Sequence, residues 1–475
     1  MIQAATVLAR EVDAALLPRA ATAYAVKELA RRAGVSAEFL RTWRIEFEGS
    51  RFVSVFVQPG TRKQIRFPLA DQQFWTGIRR GNFRTSTAAW MRSRQELQQV
   101  VPDFKIPFSS STREDVGPLF AVAGKDRVEC ALDLPSSTVL TLGRFEETLP
   151  TPRDQHGRFS AFSSIAWRAG FLHRPIVDEY GLALAQTISF LLPGWHPQER
   201  RLRVKLSHDV DEIGLPFLLR STFAHTLRRG RVSATLQDLL SLGLQTETAH
   251  QRLLRHIVKL SLDRGLDSAV YWKASAPGPY DRGYDLRDKR VSALFTAFQA
   301  QGVEMGVHPG YETFKSAQEL RAEIAVLRDW IGEHKLGGRQ DYLRWDPKTW
   351  ILWESLGMAY DASVGFADHI GFRAGTSYPF RPWLFAEGRE ANLLEIPLIA
   401  MDSTLQGYMK LDPDHALSKL HDCVARCRAV GGVFTLAWHN TMLMDPGYEM
   451  IYRQLLDELS GSDSYDWREP NYGIE

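Results

Sequence analysis

The chain has 475 residues, 44% of them hydrophobic and 24% charged, with a net charge of +2. That length exceeds one ordinary domain and predicts two or three units, while the near-neutral charge gives no bulk electrostatic reason to expect nucleic acid or an anionic membrane as a partner. No stretch approaches the roughly 18 consecutive apolar residues of a membrane span, and three cysteines make no disulfide framework, which agrees with a reducing compartment.

From the N-terminus, MIQAATVLAREVDAALLPRA carries Arg10, Glu11 and Asp13 where a secretory segment is uninterrupted, so a cytoplasmic location is expected. ATAYAVKELARRAG predicts a helix ending at Gly34, and RFVSVFV, QIRFPLA and STVLTLGRFEE predict strands. GTRKQ lacks the Gly-Lys-Ser/Thr pattern of a nucleotide loop. DQHGRF, at 154–159, gathers polar groups in a turn and is read as structural. Val177, Tyr180, Leu184, Ile188 and Leu191 then recur at helical spacing until Pro193-Gly194 stops the helix. A boundary is expected near residue 199, which leaves residues 1–199 as a smaller α+β domain of unassigned role.

Beyond it the pattern alternates. Strands are predicted in RLRVKLSHDVD, SAVYWKA, VEMGVH and VFTLAWHN, and helices in QRLLRHIVKLSLDRG, RVSALFTAFQAQG, SAQELRAEIAVLRDWIGEH, DHALSKLHDCVARCRAVGG and Tyr448 to Leu459, with GRQDYLRW leading into PKTWILWESLG, then MAYDASVG and LLEIPLIAMD, as further units of the same rhythm. Such alternation implies parallel strands with crossover helices. About seven units over residues 200–475 suggest a distorted (β/α) barrel, closed or incomplete, with a doubly wound sheet as the alternative. The basic run RRGR at 228–231 reads as a solvated helix end, and Cys423 and Cys427, four apart on one helix face, as core.

The polar residues fall at selected places. Asp209 and Asp211, Lys273, His308, Arg339, Asp402 and His439 each lie at the C-terminal end of a predicted strand. In an α/β barrel those ends share the face on which the active site is built. Singly, each residue has an ordinary explanation: a turn cap for the aspartates, a turn or core imidazole for the histidines. Together they supply the carboxylates and imidazoles of an open divalent-metal site. A metal held by Asp211 and His308 would activate water and polarise a carbonyl. Asp209 would then take the water's proton and His439 would protonate a leaving amine.

With those residues in hand, the second half resembles the polysaccharide deacetylase, or NodB-homology, family, whose members fold as distorted (β/α) barrels and remove acetyl groups from N-acetylated sugars with a bound divalent metal. SHDVD is similar to the first family motif, which implies Asp209 as base and Asp211 as ligand, and leaves His208 and Glu212 as supporting or solvated groups. VHPGYE stands where the family has His followed four residues later by His, so the resemblance implies Glu312 as a third ligand in place of that second histidine. RQDYLRWDP resembles the third motif and implies that Arg339, with Arg344 as rival, orients the base. EIPLIAMD offers Asp402 to tune the imidazole, and TLAWHN matches the motif of the general acid, His439. YDASVGFADHIGFRAGTSYPF is similar to a subgroup with an extra N-terminal domain that is associated with surface-polysaccharide biosynthesis. Lys273, Tyr311, Trp345 and Tyr378, with Phe366 and Phe380, are candidate substrate contacts, the aromatics as platforms for sugar rings. Zinc is the default ion, although one imidazole among carboxylates suits several divalent metals. The expected partner is an N-acetylated sugar or polysaccharide, with no nucleic acid and no membrane span. Two other readings remain open: a catalytically degenerate carbohydrate-binding or scaffold protein, and a hydrolase of another non-peptide C–N bond.

Overall fold

Residues 19–92, 95–213, 247–332 and 335–468 are described by the computed structural model. The RRGR run and nearly all of the N-terminal stretch, residues 1–18, lie outside them. No helix among the described residues is long and apolar enough to cross a membrane.

The N-terminal third is mixed α+β. Helix Arg19–Arg32 packs on helix Ile176–Leu191, whose apolar stripe includes the buried Ile176, Tyr180, Leu184 and Ile188. Strands β1 (Arg44–Glu48), β2 (Phe52–Phe56), β3 (Gln64–Pro68), β4 (Thr85–Ala89), β5 (Phe104–Pro107), β6 (Asp115–Pro118), β7 (Phe120–Gly124) and β8 (Arg127–Cys130) form two sheets, ordered β1-β2-β3-β8-β7 and β5-β4-β6. The predicted strand at STVLTLGRFEE is instead a helix, Leu134–Leu142. Its start is set by the Asp133 side chain, which caps Ser136 N, and by Pro135 in the first turn. Every residue of that helix is buried, so its β-branched composition carried no facial periodicity to correct the reading.

The C-terminal part is built on one parallel sheet. β9 (Arg203–Asp209), β10 (Ser268–Trp272), β11 (Glu304–Val307), β12 (Gly337–Gly338) and β13 (Tyr360–Asp361) lie side by side in chain order. After a separate hairpin, β14 (Trp383–Leu384) and β15 (Arg389–Glu390), strand β16 (Leu394–Glu395) joins beside β13. β17 (Ala400–Met401) and β18 (Val433–Ala437) join on the far side of β9, and β19 (Asp463–Ser464) pairs the start of β9. The strands therefore run in barrel order, and among the described residues no ladder joins β16 to β17. Helices Ala249–Leu262, Lys289–Ala300, Ala317–Ile331, Pro347–Ser355 and Pro413–Val430 make the crossovers. Cys423 and Cys427 are buried on the last of these.

Buried charge ties the N-terminal third to the barrel. Glu147 receives Arg373 Nη2 at 2.5 Å, and Asp178, paired within the N-terminal third with Arg32 Nε at 2.8 Å, receives Ser377 N of the barrel side at 2.7 Å. Burial opposes the charge on Glu147, but Arg373 and Arg144 outweigh it and hold its pKa down to about 2.

Candidate functional site

Strand register assembles the site. Asp209 pairs with Tyr271, Trp272 with Val307, and Val307 with Gly338, so the residues that follow each strand end emerge at one level. His308 N donates to Trp272 O at 2.7 Å and Arg339 N to Val307 O at 3.0 Å, which carries the ladder one step past the strands. β12 is two glycines because its neighbours leave no room: a Cβ on Gly338 would meet Val307 O at 1.9 Å, and one on Gly337 the Tyr360 ring at 2.1 Å.

Asp209 is almost fully buried and is held by Arg339, whose Nη1 donates to Oδ1 at 2.8 Å. Arg339 is fixed in turn by Ser207 Oγ at 2.9 Å and Ala362 O at 3.0 Å. Burial would raise the Asp209 pKa, but Arg339, His308 and His439 together bring it below the usual carboxylate value. Across the site, Asp402 receives His439 N and Nδ1, each at 2.6 Å, which locks the imidazole in one orientation. Despite burial, Asp402 and the nearby Asp211 and Asp209 raise the His439 pKa to about 9.

Between these two lies a cluster of three donors, Asp211, His308 and Asp341, whose ligand atoms all fall within 4.8 Å of one another. His308 Nδ1 donates to Arg339 O at 2.8 Å, which leaves Nε2 facing Asp211 Oδ1 at 3.1 Å and Asp341 Oδ1 at 3.2 Å. Burial disfavours charge on His308, but Asp209, Asp211 and Asp341 overcome it and raise the pKa to about 10. Lys273 Nζ lies beside the cluster, 3.3 Å from Asp211, 3.1 Å from Asp341 and 3.0 Å from Asp281. Against the cost of burial, those three carboxylates hold the ammonium well above its ordinary pKa.

The donor set suits a divalent cation. The imidazole already gives its other N–H to a carbonyl, as metal-binding histidines do, and without a proton its lone pair would face two carboxylates. Asp341 Oδ2 is buried with no hydrogen-bond partner, and its cationic neighbour is Lys273 Nζ. Mixed imidazole and carboxylate donors are those of open zinc sites.

Glu312 is not in the cluster. It is exposed on the 3-10 turn Tyr311–Phe314, which begins after Pro309-Gly310. His308 therefore does not sit in an α-helical turn where a residue four positions on would share its face; Asp341 stands in the third place instead. Trp345 and Tyr378, expected at the substrate, are core side chains: Trp345 packs edge-to-face on Trp350 at 4.7 Å, and Tyr378 OH donates to Val430 O. Phe366 and Phe380 are buried too. Tyr311 is nearly buried between the Tyr280 ring at 4.1 Å and the Arg344 guanidinium at 3.8 Å. Among the described residues, solvent-exposed rings around Asp341 and its neighbours are Tyr280, Tyr342 and Tyr408, at 45%, 38% and 44% exposure, none of which the sequence singled out.

His208 is a structural imidazole. Burial lowers its pKa to about 4, and it bridges Trp438 O and Ser268 Oγ. Glu212 pairs with Arg282 at 2.8 Å. Asp341 lies within the RQDYLRW segment, two residues past Arg339. The rule that selected Arg339, a polar group just beyond a strand end, would have reached it with a slightly wider window.

Residues 21–193 match a family of unknown function, DUF7033. No curated protein matches the chain. Among solved structures it is similar to a candidate polysaccharide deacetylase from Mycobacterium smegmatis, at 16% identity and a TM-score of 0.40, over 57% of this chain and 87% of that one. A candidate polysaccharide deacetylase involved in O-antigen biosynthesis from Bordetella bronchiseptica matches at 13% identity and a TM-score of 0.29, over 57% and 89%.

Proposed function

We propose that the chain is a metal-dependent hydrolase that removes the acetyl group from an N-acetylated sugar or polysaccharide intermediate. The observation that carries the reading is one open donor set flanked by two separately held proton handlers, Asp209 on Arg339 and His439 on Asp402. The sugar class follows from the likeness of SHDVD, RQDYLRW and TLAWHN to deacetylase motifs. Asp211, His308 and Asp341 would hold the ion, with zinc the default. Bound there, it supplies Lewis-acid polarisation of the acetyl carbonyl and a water of lowered pKa.

The chain's own groups do the rest. Asp209, kept ionised by Arg339, takes a proton from the attacking water as its oxygen bonds to the acetyl carbon. His439, kept protonated by Asp402, gives a proton to the amine nitrogen as the C–N bond breaks. The products are acetate and a free amino sugar. Acetate release from chitooligosaccharides and N-acetylated sugar nucleotides, measured with and without zinc, tests the reading. Zinc-dependent release is expected, and none from any of them by zinc-loaded protein would overturn it. One observation favours a second reading, sugar binding without turnover: Lys273 already offsets the charge of two donors. That protein would bind the same sugars equally well in chelator.

Zinc binding should also displace a proton. His308 holds one up to about pH 10, and only the neutral imidazole can ligate. Affinity is therefore expected to rise about tenfold per pH unit through neutral pH and to flatten near 10. Calorimetry in buffers of different ionisation enthalpy should count about one proton released at pH 8, and a pH-independent affinity would exclude His308 as a ligand.

A further inference from the structure

The turn that carries Asp341 has an unusual backbone. Tyr342 and Leu343 both adopt positive φ, 56° and 53°, and neither is glycine. Two bulky residues in succession in the left-handed region persist only where their surroundings dictate it. Much of what dictates it here comes from the N-terminal third, from DQHGRF.

An Arg153–Phe159 bridge closes this segment into a tight loop. Inside it, Asp154 Oδ1 accepts from His156 N and Arg158 N, both at 2.9 Å, and Oδ2 accepts from Arg158 Nε at 2.8 Å. The Arg158 guanidinium is thus aimed before it meets the barrel. There, Nη1 donates to Tyr342 O at 3.1 Å and Nη2 to Tyr408 OH at 2.9 Å. Tyr408 ends the π-helix Thr404–Tyr408, which begins two residues after Asp402. The loop is gripped in return, because Arg344 Nε donates to His156 O at 2.9 Å and His156 Nδ1 pairs with Tyr311 OH at 3.0 Å.

We propose that Asp154–Arg158 is a brace that completes the metal site from outside the barrel, with Arg158 as the positioning residue that holds the strained Tyr342 turn and so keeps Asp341 among the donors. This rests on reading Asp341 as a ligand. The N-terminal third thereby gains a role in the chemistry, since the turn that sets the barrel's third ligand is held by a residue 184 positions before Tyr342 in the chain.

Zinc titration of the full chain, read by competition with a chromophoric chelator, tests the brace. Arg158→Ala is expected to weaken zinc binding about 10- to 100-fold, the usual cost of losing a group that orients a ligand. The metal-free variant should keep the wild-type circular dichroism spectrum, and added free guanidinium should restore part of the affinity. Tyr408→Phe, which spares the Tyr342 carbonyl contact, should cost much less. If Arg158→Ala does not fold, Arg158→Met carries the test: it keeps much of the side chain's length but cannot donate to the Tyr342 carbonyl, and wild-type affinity in it would overturn the brace. Asp341→Ala separates the two ideas. Unchanged zinc affinity in that variant refutes the ligand reading, whereas loss there with wild-type affinity in Arg158→Ala refutes the brace alone.

Discussion

Asp209→Asn is expected to lower kcat/KM for acetate release about 10²- to 10⁴-fold, the usual contribution of a positioned general base, while zinc stays bound. Asn fills the same volume and can still accept from Arg339 Nη1, but it cannot take a proton. Asp209 is outside the donor cluster, so no ligand is lost. Its charge is also the foremost of those that keep a proton on His308, so its removal favours the neutral, metal-binding imidazole. The accompanying cost falls on stability. Arg339 would keep Ser207 Oγ and Ala362 O but lose its carboxylate while buried, and breaking a buried pair costs about 3–5 kcal/mol. Activity and melting therefore need to be read on the same sample. A folded Asp209→Asn protein with wild-type turnover would sink the proposed mechanism.

What could be read from the chain followed from period and position. Strands β10, β11 and β18 are mainly apolar, buried runs with Lys273, His308 and His439 one or two residues past their ends, whereas β9 carries Asp209 as its own last residue, paired with Tyr271. That is why Asp209, His308 and His439 could be placed at strand ends without a structure. β12 has no such run, because close strand approach reduces it to two glycines, and only the neighbouring Arg339 marked its end. The loop beyond was harder still. Nothing in Asp-Tyr-Leu announces two positive φ angles, since these are imposed by Arg158 and by Arg344, which is locked to His156. Contacts across such sequence separations leave no trace in periodicity. The rings chosen as sugar platforms failed for a related reason: aromatic composition marks core and cleft alike, and Trp345 and Tyr378 belong to the core.

The contrast between Asp341 and Glu312 is where the sequence pattern and the fold disagree most sharply, and it can be measured. Asp341→Ala is expected to weaken zinc binding by more than about 100-fold, beyond the upper end of what losing an orienting neighbour costs, and to remove metal-dependent turnover with it. The loss has two parts. One of three donors goes, and Lys273 is left with two carboxylates, Asp211 and Asp281, so it leans harder on the one that is also a ligand. Glu312→Ala touches neither the cluster nor Lys273, and as an exposed substitution it should leave zinc affinity and activity near wild type and stability within about 0.5 kcal/mol. Zinc titrations of the two variants side by side decide the matter. If Glu312→Ala lost the metal and Asp341→Ala kept it, the third ligand would be the residue four positions after His308, and the 3-10 turn at Tyr311 would have to rearrange on metal binding to bring it there.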